Sequence, residues 1–235
     1  MCTVSFVNAG GKIIITSNRD EQVLRPAIPP SKYVVQDKNL IFPKDPKAGG
    51  TWYAVDEQAN VLVLLNGAAE KHKHLPPYRR SRGLIVLDLL GSDSAIKSWA
   101  DIDLENVEPF TLVLFFGKKL YQLRWDGSEK STVSLNENQN HVWSSSTLYP
   151  KEVRERRAAW FSTFLDTKPE VTEKDMLHFH RYTESEDTEY GLVINRNDLL
   201  KTLSITQAVI DQNTLSLTYA DLINNEQLSN SYPII

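Results

Sequence analysis

A single cysteine among 235 residues leaves no partner for an intramolecular disulfide and no CxxC pair for a metal or redox site. Long apolar runs are also missing. The longest uncharged ones, residues 61–65 and 84–87, fall far short of the roughly 20 residues a helix needs to cross a bilayer. The N-terminus lacks the basic, apolar and small-residue regions of a signal peptide, so the chain is expected in the cytoplasm. No linker interrupts it and no segment repeats, so residues 1–235 read as one large domain or two intimate halves, taken as a single domain. A formal charge of −4 argues against general nucleic-acid binding, and the locally basic stretch 71–82 reads as solvated surface. What is present is a hydrophobic content of 41%, enough for a substantial core.

The one cysteine is Cys2, directly behind the initiator methionine. Removal of Met1 puts a thiol and a free amine on one residue. An α-amino group with a pKa of about 7.7–8.0 can take the thiol's proton, making that residue both nucleophile and base. The alternative is a small apolar cysteine that opens a buried strand.

Residues 3–8 and 12–17 are rich in Val, Ile, Thr and Phe around Ala9-Gly10-Gly11, the pattern of a β-hairpin. A turn centred on Ala9-Gly10 sets Cys2 opposite Ser17, and one centred on Gly10-Gly11 sets it opposite Arg19. Opposed residues have Cβ atoms about 4.5–5.5 Å apart, so either register brings Ser17-Asn18-Arg19-Asp20-Glu21 beside the thiol. Residues 26–50 hold five prolines and are expected to be mostly loop, with short extended pieces at 33–35 and 40–42. A second hairpin joins 51–55 to 61–65, whose every position is apolar, so both of its faces should be covered. Helices are expected at 84–90, 95–100, 151–165 and from Glu173 to about His180, with Asp93 or Ser94 capping the second and Thr172 the last. Further strands are expected at 111–116, 120–125, 191–194, 203–209 and 214–219. The order fits an α+β fold, two antiparallel sheets packed together with helices outside.

A nearby guanidinium favours a thiolate, which assigns Arg19 a role. Asp20 can orient the α-amine or hold Arg19. Asn66, closing an apolar strand before Gly67, can aim its amide at an oxyanion, although Asn-Gly is also an ordinary turn. Trp52, Tyr53 and Trp143 can line an apolar pocket or simply fill the core.

Met1-Cys2, Ser17-Asn18-Arg19-Asp20-Glu21, and Gly50-Thr51-Trp52 leading through an apolar strand to Asn66 together resemble the NRDE proteins, the transport and Golgi organization protein two family. That family looks like the N-terminal-nucleophile (Ntn) hydrolases, especially the choloylglycine hydrolase and penicillin V acylase branch, with a four-layer αββα sandwich. The resemblance implies Cys2 as nucleophile, its amine as base, Arg19 and Asp20 in support and Asn66 in the oxyanion hole, with no metal or other cofactor required. It also implies two departures. A second asparagine of those acylases is replaced by the run Trp143 to Thr147, where Ser145 or a backbone amide stands in. Their late arginine has Lys201 as its nearest counterpart.

The expected reaction is hydrolysis of an amide or thioester of a small acyl-type substrate. A second possibility, also implied by the family, is a non-catalytic carrier of haem or acyl lipid, for which His72, His74, His178, His180 and Cys2 are candidate haem-facing residues, although the histidines also read as exposed or core-satisfied side chains. A third is a degenerate hydrolase fold that serves as an interaction module.

Overall fold

A computed structural model describes residues 3–235; Met1 and Cys2 lie outside the described residues. The chain forms two compact units, one of residues 3–25 with Asn138–Ile234, the other of Pro26–Glu137 with Ile235. Among the described residues each contains one antiparallel seven-stranded sheet and two helices.

The first unit opens with β1 (Thr3–Ala9) and β2 (Lys12–Gln22), joined by Gly10 and Gly11 at φ 63° and 95°. Positive φ at both central residues matches the twist of the strands, and glycine bears it without steric cost. Ala9 pairs with Lys12 and Thr3 with Asn18, which is the register of a turn centred on Gly10-Gly11. On its other edge β1 pairs with β10 (His141–Ser144). The sheet continues from β2 through β12 (Leu200–Asp211) and β13 (Thr214–Asp221) to β14 (Glu226–Pro233).

The helices α3 (Lys151–Asp166) and α4 (Glu173–Tyr182) belong to this unit. Val153, Arg157 and Phe161 recur every fourth residue and are the buried face of α3. Thr172 and Asp175 close α4 with a reciprocal capping box, as the Thr172 cap implies. Phe161, Met176, Phe179, Leu192, Val7, Ile14 and Val209 form the core between these helices and one face of the sheet.

The second unit runs in order through β3 (Ile28–Val35), β4 (Lys38–Lys44), β5 (Tyr53–Asp56), β6 (Val61–Asn66), β7 (Phe110–Phe116), β8 (Lys119–Trp125) and β9 (Lys130–Leu135). All five apolar residues of β6 are buried, as its unbroken apolar run implies. Helix α1 (Arg82–Gly91) packs on β4, β5 and β6, and α2 (Ala95–Asp101), capped by Ser94, follows it.

Three expectations need correction. Residues 26–50 are not mostly loop: β3 and β4 form a full hairpin, because Pro29 and Pro30 sit on the edge strand, at a register shift between Ile28 and Ser31 where ladder donors are dispensable. Residues 191–194 are not a strand. Gly191 N–H donates to the Asp187 carbonyl and Leu192 N–H to Thr183, so these groups serve the turn after α4, and the strand β11 is only Asn195–Arg196. Strands β9, β10 and β14 were not anticipated, since they carry few fully buried apolar side chains.

Helix α1 starts against the segment before β5 at backbone contact: a Cβ on Gly50 falls 2.4 Å from the Gly83 carbonyl carbon, and one on Gly83 falls 2.8 Å from the Thr51 oxygen. No flexible side chain is there to yield. Gly50→Ala is therefore expected to destabilise the protein by about 1–3 kcal/mol, seen as a lower urea midpoint at unchanged m value.

Candidate functional site

The tetrapeptide Asn18-Arg19-Asp20-Glu21 lies in the last part of β2, before Gln22, and strand alternation divides it between the faces of the sheet. Asn18 and Asp20 share the helix-covered face with Thr3 and Ser5, while Arg19 shares the opposite face with Ser17. Arg19 and Asp20 are 3% and 2% exposed, so neither is an ordinary solvated charge at a strand end.

Asp20 accepts hydrogen bonds from the Tyr149 hydroxyl on Oδ2 and the Thr202 hydroxyl on Oδ1, both 2.5 Å. Tyr149 N–H donates to the Ser145 carbonyl at 3.1 Å, which ties Asp20 to the turn containing Ser145. Ser145 is buried, with its hydroxyl 2.9 Å from that of Thr147. On the other face, Arg19 Nη1 donates to the Arg25 carbonyl at 2.9 Å and lies across from Ser204. Ser17, Ser204, Thr206 and Tyr219 continue this buried polar surface through the strand pairings. Burial pushes the Tyr219 phenol up, with Asp221 adding to the rise and Ser204 and Arg19 opposing it.

Trp143 pairs with Val4 and stacks on His141 at 5.7 Å between ring centres. Lys201 pairs with Glu21 in the ladder, and its ammonium group lies 2.6 Å from Asp198. Asn66 and Trp52 belong to the second unit. Asn66 is the last residue of β6 and opposes Phe110, and Gly67 follows at φ 82° with its N–H on the Pro109 carbonyl. Trp52 is buried and its carbonyl accepts from Leu64 N–H. Cys2 lies outside the described residues.

Two residues that the chemistry of the motif did not single out dominate the helix face. Arg157 donates to the Thr3 hydroxyl at 2.6 Å and to the carbonyls of Tyr190 and Gly191, with its guanidinium 3.5 Å above the Tyr149 ring. His180 is fully buried. Asn18 Nδ2 donates to the carbonyls of His180 and Leu192, which leaves Asn18 Oδ1 as acceptor for His180 Nδ1–H. His180 Nε2 then accepts from the Ser5 hydroxyl at 2.7 Å. Burial, and secondarily the charge on Arg157, push His180 down to about 3, so it is neutral. A charged residue on the apolar stripe of α3 and a histidine beside Met176 and Phe179 were the available signals.

The remaining haem-facing candidates sit elsewhere. His178 is on α4, with its ring 4.9 Å from that of Tyr182. His72 Nε2 and His74 Nδ1 both meet Glu108 Oε1, at 3.2 and 3.0 Å, while Arg82 holds Oε2 at 2.8 Å. His72 lines an open cleft of about 400 Å³ with Lys73, Tyr78, Asn106 and Asp126. Arg79 and Arg80 pair with Asp103 and Asp88, so the basic stretch is largely matched by acids of its own unit.

The family described as Transport and Golgi organisation 2 matches residues 1–219. Comparison with curated protein sequences returned no match. Among solved structures, a Caenorhabditis elegans ortholog of N-acylethanolamine-hydrolyzing acid amidase is similar at TM-score 0.62 and 14% identity, covering 88% of this chain and 92% of that one. A conjugated bile acid hydrolase from Clostridium perfringens, in a form whose cysteine at position two is replaced by alanine, is similar at TM-score 0.54 and 9% identity, covering 98% and 92%. An arginine-to-leucine variant of the same enzyme gives 0.55 and 8%, covering 97% and 92%. These similarities establish the fold as that of the Ntn hydrolases.

His180 makes stability pH-dependent. Its folded value, about 3, lies below the ordinary 6.5. Above pH 6.5 both states hold it neutral; as pH falls below that, the unfolded chain gains a proton that the folded chain refuses, and stability drops by up to about 1.4 kcal/mol per unit until the folded value is reached. His180→Gln is expected to flatten this acid arm between pH 6 and 4 in denaturant titrations, at a cost of about 1–3 kcal/mol at pH 7.

Proposed function

The chain belongs to the Transport and Golgi organisation 2 family, and from that membership and the geometry at the start of β1 we propose that it is an N-terminal cysteine hydrolase of small acyl amides or thioesters. The observation that carries the proposal is the first hairpin's register. Thr3 opposes Asn18, so the chain enters β1 next to Arg19, a buried guanidinium on a buried polar face. The bile acid hydrolase that shares the fold has been altered at a cysteine in position two, the position of the only cysteine here.

With Met1 removed, the α-amine accepts the Cys2 thiol proton, and the thiolate attacks the substrate carbonyl carbon. Arg19 favours the thiolate electrostatically. The segment at Ser145 is the proposed donor to the oxyanion. Collapse breaks the C–N or C–S bond, the leaving group takes the proton from the α-ammonium, and a thioester to Cys2 remains. Water, deprotonated by the α-amine, releases the carboxylic acid and restores the thiol. Asp20, held by Tyr149 and Thr202, anchors the end of β2. Trp143 and Lys201 are proposed to contact the substrate.

Intact mass of the purified protein is expected to show loss of one methionine. Against a panel of N-acylethanolamines, conjugated bile acids and acyl thioesters, Cys2→Ala should lower turnover by about a thousandfold or more with unchanged circular dichroism. Undiminished turnover sinks the hydrolase reading, and stoichiometric haem binding indifferent to the substitution supports a carrier instead.

A further inference from the structure

Arg157 is wholly buried, and among the described residues none of its nitrogens meets a carboxylate. Its partners are the Thr3 hydroxyl, two backbone carbonyls and the Tyr149 ring, all neutral. A guanidinium stays charged under all working conditions, and a buried charge without a counter-charge is costly to keep. A rivet between α3 and β1 needs hydrogen bonds but no net charge.

The charge is felt nearby. Asp20 is linked to it through Tyr149, whose ring stacks on the guanidinium while its hydroxyl donates to Asp20. The charged and titratable groups around this end of the sheet are Arg19, Asp20 and Glu21 from β2, Tyr149 from the turn before α3, His180 from α4, Tyr190 with the Glu189–Arg196 pair beyond it, and Lys201 of β12 with Asp198. His180 is neutral, and Arg196 is paired with Glu189 at 3.2 Å, so neither adds a free charge of either sign beside Arg157.

Thr3, which Arg157 holds, is covalently bonded to Cys2. A positive charge favours the anionic thiolate over the thiol and the neutral amine over the ammonium, so both groups that N-terminal catalysis needs are pushed toward their working forms. We propose that Arg157 is a positioning residue for the N-terminal cysteine, fixing Thr3 by a hydrogen bond and supplying an uncompensated positive charge that activates the thiol and amine ahead of it. This rests on the reading of Cys2 as nucleophile and adds a residue that acts from a helix more than 150 positions away.

Because the chain has one cysteine, the test needs no substrate. The rate of alkylation by iodoacetamide is measured against pH on full-length protein lacking Met1, for the wild type, Arg157→Lys, Arg157→Met and Arg157→Gln, with circular dichroism and urea unfolding of each. The wild-type midpoint is expected at least one unit below the ordinary cysteine value of about 8.5. Arg157→Lys should keep most of that depression. The two neutral variants should move the midpoint up by about one unit, lowering the rate near pH 6.5 roughly tenfold. A wild-type midpoint at the ordinary value overturns the proposal whatever the variants do, and so does an unmoved midpoint in a folded neutral variant, which reduces Arg157 to a structural part. Failure of the hydrolase reading looks different: turnover then survives Cys2→Ala while the alkylation midpoint still follows the charge at position 157.

Discussion

Thr3, Ser5, Asn18 and Asp20 lie side by side beneath two helices with almost no surface left to water, and every polar group they carry has to be matched from inside the protein. Leaving one unmatched costs about 1–3 kcal/mol. The matches come from distant parts of the chain: Arg157 for Thr3, His180 for Ser5 and Asn18, Tyr149 and Thr202 for Asp20. The first hairpin is thus locked to α3, α4 and β12 by hydrogen bonds that specify position, where a purely apolar interface would only specify contact.

That lock explains an otherwise uneconomical arrangement. An apolar strip at Thr3, Ser5, Asn18 and Asp20 would pack under Phe161 and Phe179 with less at stake electrostatically. Instead, the helix face keeps a neutral histidine, an arginine and a buried carboxylate, while the opposite face presents Arg19 among serines, a threonine and a tyrosine. Both the height and the register of β1 are fixed in this way, as the proposed hydrolysis would require of the strand.

Local pattern carried much of this architecture. The Gly10-Gly11 turn, the apolar run of β6, the Ser94 and Thr172 caps and the Asn-Arg-Asp-Glu segment beside the start of β1 are all legible because the cause lies within a few residues. Strands such as β14, almost wholly exposed, have no periodicity to read; they exist because a neighbouring strand offers a ladder. The same limit applies to the site. Adjacency of Arg19 and Asp20 follows from their order in the chain. Tyr149, Arg157, His180 and Thr202 join them only through tertiary pairing across more than a hundred residues, and their residue types alone point nowhere in particular. The second unit's Asn66 reads equally as strand end, turn and donor, since all three use the same permissive glycine behind it.

The two prolines of β3 bear on what the molecule does in company. An outermost strand with free donors is a template on which a foreign strand can grow. Pro29 and Pro30 have no N–H to offer, and they sit where the register with β4 slips, so one stretch of the margin is closed to recruitment and its outline is broken. One margin of a seven-stranded ladder is thereby kept finite, and by the same residues that make this segment look, in one dimension, like a loop.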